Sequence, residues 1–137
     1  MRILVTGSRD WYDWKTIMNA FQEVTKGVKA ANVTVVHGGA RGADVIAGDC
    51  AAQLGFTVED HPANWDSCGP DCNPSHFRIR MGNLYCPRSG YVRNSKMVNL
   101  GADFCLAFIR NDSKGTRMCV ELADKAGIPV HRYVEND

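Results

Sequence analysis

Residues 32–55, NVTVVHGGARGADVIAGDCAAQLG, decide the fold. Val33, Val35 and Val36 form a short β-branched run that reads as a buried strand. Gly38 and Gly39 end it. From Ala43 the apolar residues fall at helical spacing, with Val45, Ile46, Cys50 and Leu54 on or near one face, and Gly55 stops the helix. The unit is strand, glycine turn, helix.

The same alternation runs outward in both directions. Ile3, Leu4 and Val5 are a strand ending in Thr6-Gly7-Ser8. Trp14, Ile17, Met18, Phe21 and Val24 predict a helix that closes near Gly27. FTVEDHP, DFCLAFI and IPVHRY read as further strands, and RNSKMVNLG and GTRMCVELADKAG as further helices ending at Gly101 and Gly127. The closing VEND reads as frayed. Strands alternating with helices imply a mainly parallel sheet of about five strands in a three-layer α/β domain spanning residues 1–137. Such sheets bind ligands at the carboxyl ends of their strands. Gly7-Ser8-Arg9, His37-Gly38-Gly39 and residues 111–116 all follow strands, so they are expected on one edge.

Composition narrows the classes. The chain has 137 residues, 45% hydrophobic and 23% charged, with a net charge of +1. That suits a single globular core and gives no bulk attraction for polyanions. The N-terminus lacks an apolar signal core, and no apolar run approaches the roughly 18 residues of a membrane span. The expected compartment is the cytoplasm, where thiols stay reduced.

HGGARGAD, residues 37–44, lets backbone approach a ligand, and the N–H groups at the helix start are a candidate anion site. Ser8 and Arg9 in GSRD offer a hydroxyl and a guanidinium to a phosphate. In NDSKGT, Asp112, Ser113 or Thr116 caps the last helix, and Gly115 permits close approach. Residues 73–99 carry Arg78, Arg80, Arg88, Arg93 and Lys96 without an acidic residue, a local positive field. No catalytic triad can be assembled; Asp44, Asp60 and Glu121 are candidate acids by location, with Asp44 and Glu121 carried forward.

Residues 68–86, CGPDCNPSHFRIRMGNLYC, read differently. Cys68, Cys72, His76 and Cys86 have the spacing Cys-x3-Cys-x3-His-x9-Cys. Four such ligands in a Gly/Pro-rich segment with little apolar material suit a closed structural zinc site. A disulfide or a flexible loop is the competing reading. The boundaries of this inserted loop are placed at 66–90. Cys50, Cys105 and Cys119 lie in apolar patterns and read as core.

Together MRILVTGSRDW, VVHGGARGADVIA, HPANW, GYVRNSKMV and NDSKGTRMCVELA resemble the SLOG superfamily, in its YspA/YpsA-like branch of small bacterial and phage proteins. The resemblance implies a Rossmann-like domain that binds a nucleotide or nucleotide derivative as a sensor or sequestering module. The implied pocket uses Gly7, Ser8, Arg9, Gly38, Gly39, Arg41, Asp44, Arg93, Asn94, Gly115 and Thr116. A hydrolase branch of the superfamily carries PGGxGTxxE. Here Cys119 stands in place of its acid and Glu121 lies two positions further on, which weighs against a nucleotide hydrolase. Relatives self-associate, and Trp11, Trp14 and Phe21 are a candidate face for a homo-oligomer. Nucleic acid, held by Arg78, Arg80, Arg88 and Lys96, is the alternative partner. A phage-encoded protein would act in the host cytoplasm.

Overall fold

The computed structural model describes residues 1–135. In chain order it contains β1 (Arg2–Gly7), α1 (Trp14–Val24), β2 (Thr34–His37), α2 (Ala43–Gln53), β3 (Thr57–Asp60), β4 (Arg78–Arg80), β5 (Asn83–Tyr85), α3 (Arg88–Asn99), β6 (Phe104–Arg110), α4 (Lys114–Lys125) and β7 (Val130–Glu135). Five strands form one parallel sheet in the order β3-β2-β1-β6-β7, and β4 and β5 pair as a separate antiparallel hairpin. The order reverses between β1 and β6, so the two halves of the sheet diverge there. This is the switch point where parallel sheets hold ligands.

The period-2 alternation of the strands divides the core. Ile3, Val5, Val35, Leu106 and Phe108 join Ile17, Ala20, Phe21, Ala47 and Ala51 of α1 and α2 in one cluster. Leu4, Val36 and Cys105 point the other way and join Met97, Val98, Cys119 and Ala123 of α3 and α4. Three layers result, as the strand–helix alternation requires. Cys50, Cys105 and Cys119 are buried thiols within these layers.

Several readings of the sequence change. Val45 is exposed, and the buried face of α2 is built from Ala43, Asp44, Ala47, Cys50 and Ala51. Small residues there let α2 lie close to the sheet, which an apolar-periodicity reading does not register. Helix α3 begins at Arg88, five residues before RNSK, because Pro87 occupies its N-cap position. Val134 and Glu135 belong to β7, so they are not frayed; Asn136 and Asp137 lie outside the described residues. Trp11 and Phe21 are buried against the sheet, leaving Trp14 alone exposed, so the proposed self-association face is not a surface. Trp11 packs on Phe108 with ring centroids 5.5 Å apart.

The edge at the switch point is tightly packed. A Cβ added at Gly7 would lie 2.3 Å from the Ala43 Cβ, and one at Gly42 would lie 2.5 Å from the carbonyl oxygens of Ser8 and Arg9. Gly42 also has φ +80°. Gly127 has the similar φ of +78°, with no atom within 4 Å of the added Cβ. Gly127→Ala therefore reports left-handed strain alone, about 1–2 kcal/mol. Gly42→Ala adds overpacking and is expected to lose about 1–3 kcal/mol more. Urea denaturation of the two variants checks this, and equal losses would contradict the packing account.

Candidate functional site

A cleft of about 560 Å³ opens between β1 and β6 at the carboxyl edge of the sheet. Gly7, Ser8 and Arg9 line it from β1; Arg41 and Asp44 from the start of α2; Arg93 and Asn94 from α3; Gly115 and Thr116 from α4. Gly38 and Gly39 lie outside it, in an adjoining cavity of about 430 Å³ that shares Arg9, Arg41 and Arg93. Glu121 faces a different cavity on the outer side of α4, with Arg117 and Arg132. It is therefore not an acid of the cleft.

The glycine turn does not present the anion site its sequence suggested. Gly38 and Ala40 N–H groups donate to Asp44 Oδ2 at 3.1 and 3.3 Å. Gly39 N–H donates to His37 Nδ1 at 2.9 Å, and Ala43 N–H donates to the Ser8 carbonyl at 3.2 Å. These donors close the turn onto its own side chains and onto β1. Asp44 acts as an internal cap for the loop that precedes its helix.

Other expected contact residues are likewise engaged. Ser8 Oγ donates to the Arg110 carbonyl at 3.1 Å and accepts from the Arg110 N–H at 2.8 Å, tying β1 to β6. Arg93 donates to the Gly38 carbonyl at 2.5 Å, the His61 carbonyl at 3.3 Å and Asn94 Oδ1 at 2.8 Å. It pins α3 across the β2 turn, and Gly38 leaves space for it: an added Cβ would lie 2.4 Å from Arg93 Nη1. Thr116 donates its hydroxyl to Ser113 Oγ at 2.9 Å.

Two features of the cleft remain available. Asp44 is 6% exposed, and its Oδ1 has no hydrogen-bond partner. Burial raises the Asp44 pKa, opposed by the Ala40 N–H, His37, Arg93 and the Gly38 N–H. At the other side α4 starts with Ser113 as N-cap. The N–H groups of Lys114 and Gly115 have no acceptor within the helix, and the helix dipole is positive there. Nothing lies within 4 Å of a Cβ placed at Gly115. The approach to α4 is thus open, whereas the N–H groups of the turn before α2 are engaged. The preceding Asn111 and Asp112 both have positive φ, 53° and 57°. Two successive non-glycine residues in that region mark a constrained loop of the sort that clusters at sites.

The rim is basic and aromatic. Arg9, Arg41 and Arg80 are exposed and make no ion pair among the described residues. Arg110 lies 4.6 Å over the Tyr12 ring. Trp65 and Tyr85 form a wall, edge to face at 6.1 Å. Arg110, Trp65 and Tyr85 were not among the residues expected at the pocket. The basic stretch 78–96 does not form one face. Arg80 and Arg93 line the cleft, Lys96 lines a cavity behind α3, and Arg78 binds the Ser75 and Phe77 carbonyls.

Cys68, Cys72, His76 and Cys86 come together, with their ligand atoms all within 4.8 Å of one another. Cys68 Sγ is 3.5 Å from His76 Nδ1, and Cys72 Sγ is 3.8 Å from Cys86 Sγ. All the cysteines are free thiols, which removes the disulfide reading. Sulfurs about 2.3 Å and a nitrogen about 2.0–2.1 Å from a tetrahedral centre are about 3.8 and 3.5 Å apart. The cluster could hold a metal ion. It is tied to the cleft wall: the Cys86 N–H donates to the Trp65 carbonyl at 2.7 Å, and Tyr85 precedes Cys86.

Comparison with known proteins follows from this geometry. Residues 1–67 match the model of the YspA, cpYpsA-related SLOG family. The Gene 61 protein of Mycobacterium phage D29 is 42% identical over 137 residues, covering 96% of this chain and 95% of that protein. The chain belongs to the YspA/cpYpsA-related SLOG family. The chain is also similar in fold to a solved structure of DNA processing protein A from Helicobacter pylori, described for its single-stranded DNA binding mode. The TM-score is 0.60 at 17% identity, with 96% of this chain and 64% of that chain covered. This likeness is one of fold, and the chain spans less than two thirds of that neighbour. No described helix is long and apolar enough to cross a membrane.

The raised pKa of Asp44 has a consequence for stability. Between the ordinary aspartate value and the raised one, the folded chain keeps a proton that the unfolded chain has lost. Stability therefore falls as pH rises through that window. In Asp44→Asn the side-chain oxygen still accepts from Gly38 and Ala40 while the buried charge is gone. Relative to wild type, the variant is expected to gain stability between about pH 4 and neutrality, with the gap narrowing on acidification. Urea midpoints across that range check it; a pH-independent difference would contradict it.

Proposed function

We propose that the cleft binds a nucleotide or nucleotide derivative and that the protein acts as a sensor or sequestering module. One observation carries this reading: Asp44, whose buried Oδ1 has no partner, lines the same cavity as Gly115 at the open N-terminus of α4. A simple anion would satisfy the helix end and leave the carboxylate without a donor. A phosphate attached to a sugar or base satisfies both, its phosphoryl oxygens at the Lys114 and Gly115 N–H groups and a hydroxyl or ring N–H on Asp44. Arg9 and Arg41 on the rim add charge. Ser8, Arg93, Asn94 and Thr116 act as positioning residues, since their polar atoms hold the walls. Gly38 and Gly39 shape the turn that Asp44 closes.

The ion at the Cys/His cluster is zinc in this proposal, and its role is structural. Four protein ligands complete the tetrahedron and leave no position for a substrate. It holds residues 66–90 as a decoration on the domain, with Tyr85 and Arg80 beside the cleft. The likeness to a phage protein supports a place in the host cytoplasm.

Thermal-shift titration with nucleoside 5′-phosphates is expected to raise the melting temperature. Asp44→Asn should weaken binding about tenfold or more, the cost of losing a charged acceptor. Gly115→Val, which fills open space above the helix end, should abolish it. Absence of a shift with every nucleotide would refute the reading. Mass spectrometry of the same mixtures should return the nucleotide unchanged. Release of base or phosphate would make the protein a hydrolase with Asp44 as its acid.

Elemental analysis of protein purified without added metal should give about one zinc per chain, falling to a trace in Cys72→Ser. A trace in the wild type would sink the zinc assignment.

A further inference from the structure

The cleft does not end at Trp65. Beyond the indole a second cavity of about 550 Å³ runs between Trp65 and the β4–β5 hairpin. Arg9, Arg80, Trp65 and Tyr85 line both spaces, so the two adjoin. The outer walls are Met81 and Leu84, 94% and 61% exposed. Asp66 and Asn83 complete the lining. Met81 sits in the hairpin turn at φ 52°, followed by Gly82 at φ 80°. Two successive positive values are those of the tight turns that join paired strands. The turn thus projects a large apolar side chain into water where it does nothing for the core.

Each part of this cavity has a chemical reading. An indole on one side and a thioether with a leucine on the other bracket a flat ring. Arg9 and Arg80 stand at the junction, where an anionic linker would pass from the cleft. Asp66 repels phosphate from the outer cavity and, with Asn83, offers acceptors to an exocyclic amine. Apolar walls, a cationic junction and an acceptor rim match a nucleobase with its phosphate inward.

We propose that this cavity is a second base-binding subsite, so that the ligand spans two nucleosides joined through phosphate across Arg9 and Arg80. The inference rests on the nucleotide reading of the cleft. The chemistry is common to a 5′–5′ pyrophosphate-linked dinucleotide and to a 3′–5′ step at the end of a single strand.

Calorimetric titration compares a mononucleotide, a 5′–5′ dinucleotide and a 5′-phosphorylated 3′–5′ dinucleotide. The proteins are the wild type and the double variant Met81→Ala, Leu84→Ala, whose exposed positions leave the fold intact. One of the linked ligands is expected to bind the wild type about tenfold or more tighter than the mononucleotide, the scale of one added base stack. Which one does so identifies the linkage. The double variant should lose that advantage and keep the mononucleotide affinity. Linked ligands no tighter than the mononucleotide would overturn the subsite and leave the cleft reading standing. So would an equal loss for all ligands in the variant. If no ligand binds at all, the cleft reading itself falls.

Discussion

One buried carboxylate organises the functional edge of this protein. Asp44 reaches back from the first turn of α2 and accepts the N–H groups of Gly38 and Ala40. That closes the β2 turn and fixes where α2 begins. The same turn receives Arg93 from α3, whose guanidinium occupies the space a side chain at Gly38 would fill. Two helices on opposite faces of the sheet are thereby referenced to one loop. A buried charge is costly to hold, and only one oxygen of Asp44 is repaid within the chain. The other is buried without a partner in a residue that lines the cleft. The group that shapes the turn is also the group that awaits a donor.

The division of labour around the cleft follows from this. The β1–α2 junction is packed so closely, through Gly7 and Gly42, that it has no slack for a ligand. The β6–α4 junction is the opposite: Gly115 is open, and Asn111 and Asp112 hold the preceding loop in positive φ. Rigid packing on one side and an uncovered helix end on the other give a site with a fixed floor and an accessible anion position. Residues 66–90 add what the sheet edge lacks, namely an aromatic and basic wall. With little apolar surface of its own to fold around, such a segment gains its order from the Cys/His cluster.

Much of the fold was legible because hydrophobic period and glycine punctuation are local properties. The strand after Met1, the turn at Gly38 and the helix from Ala43 follow from spacing alone, as do the four clustered Cys and His side chains from their residue types. What escaped was whatever depends on contacts between distant segments. Val45 looked buried because it is apolar, but small alanines carry the α2 interface. Trp11 looked available for a partner, but Phe108 and the sheet cover it. Trp65 and Tyr85 did not look like pocket residues, because nothing in their own neighbourhood signals that these rings stand beside β1.

The sequence by itself determined the parallel sheet, the edge where its loops gather and the four side chains of the Cys/His cluster, since each is encoded in short-range pattern. Only the tertiary structure decided which donors and acceptors at that edge are already satisfied. It engaged the N–H groups of the glycine turn within the chain, left Asp44 Oδ1 unpartnered and kept the start of α4 open at Gly115. Hydrogen-bond satisfaction is a property of the assembled site, because each polar group has a limited number of partners and distant chain segments compete for them.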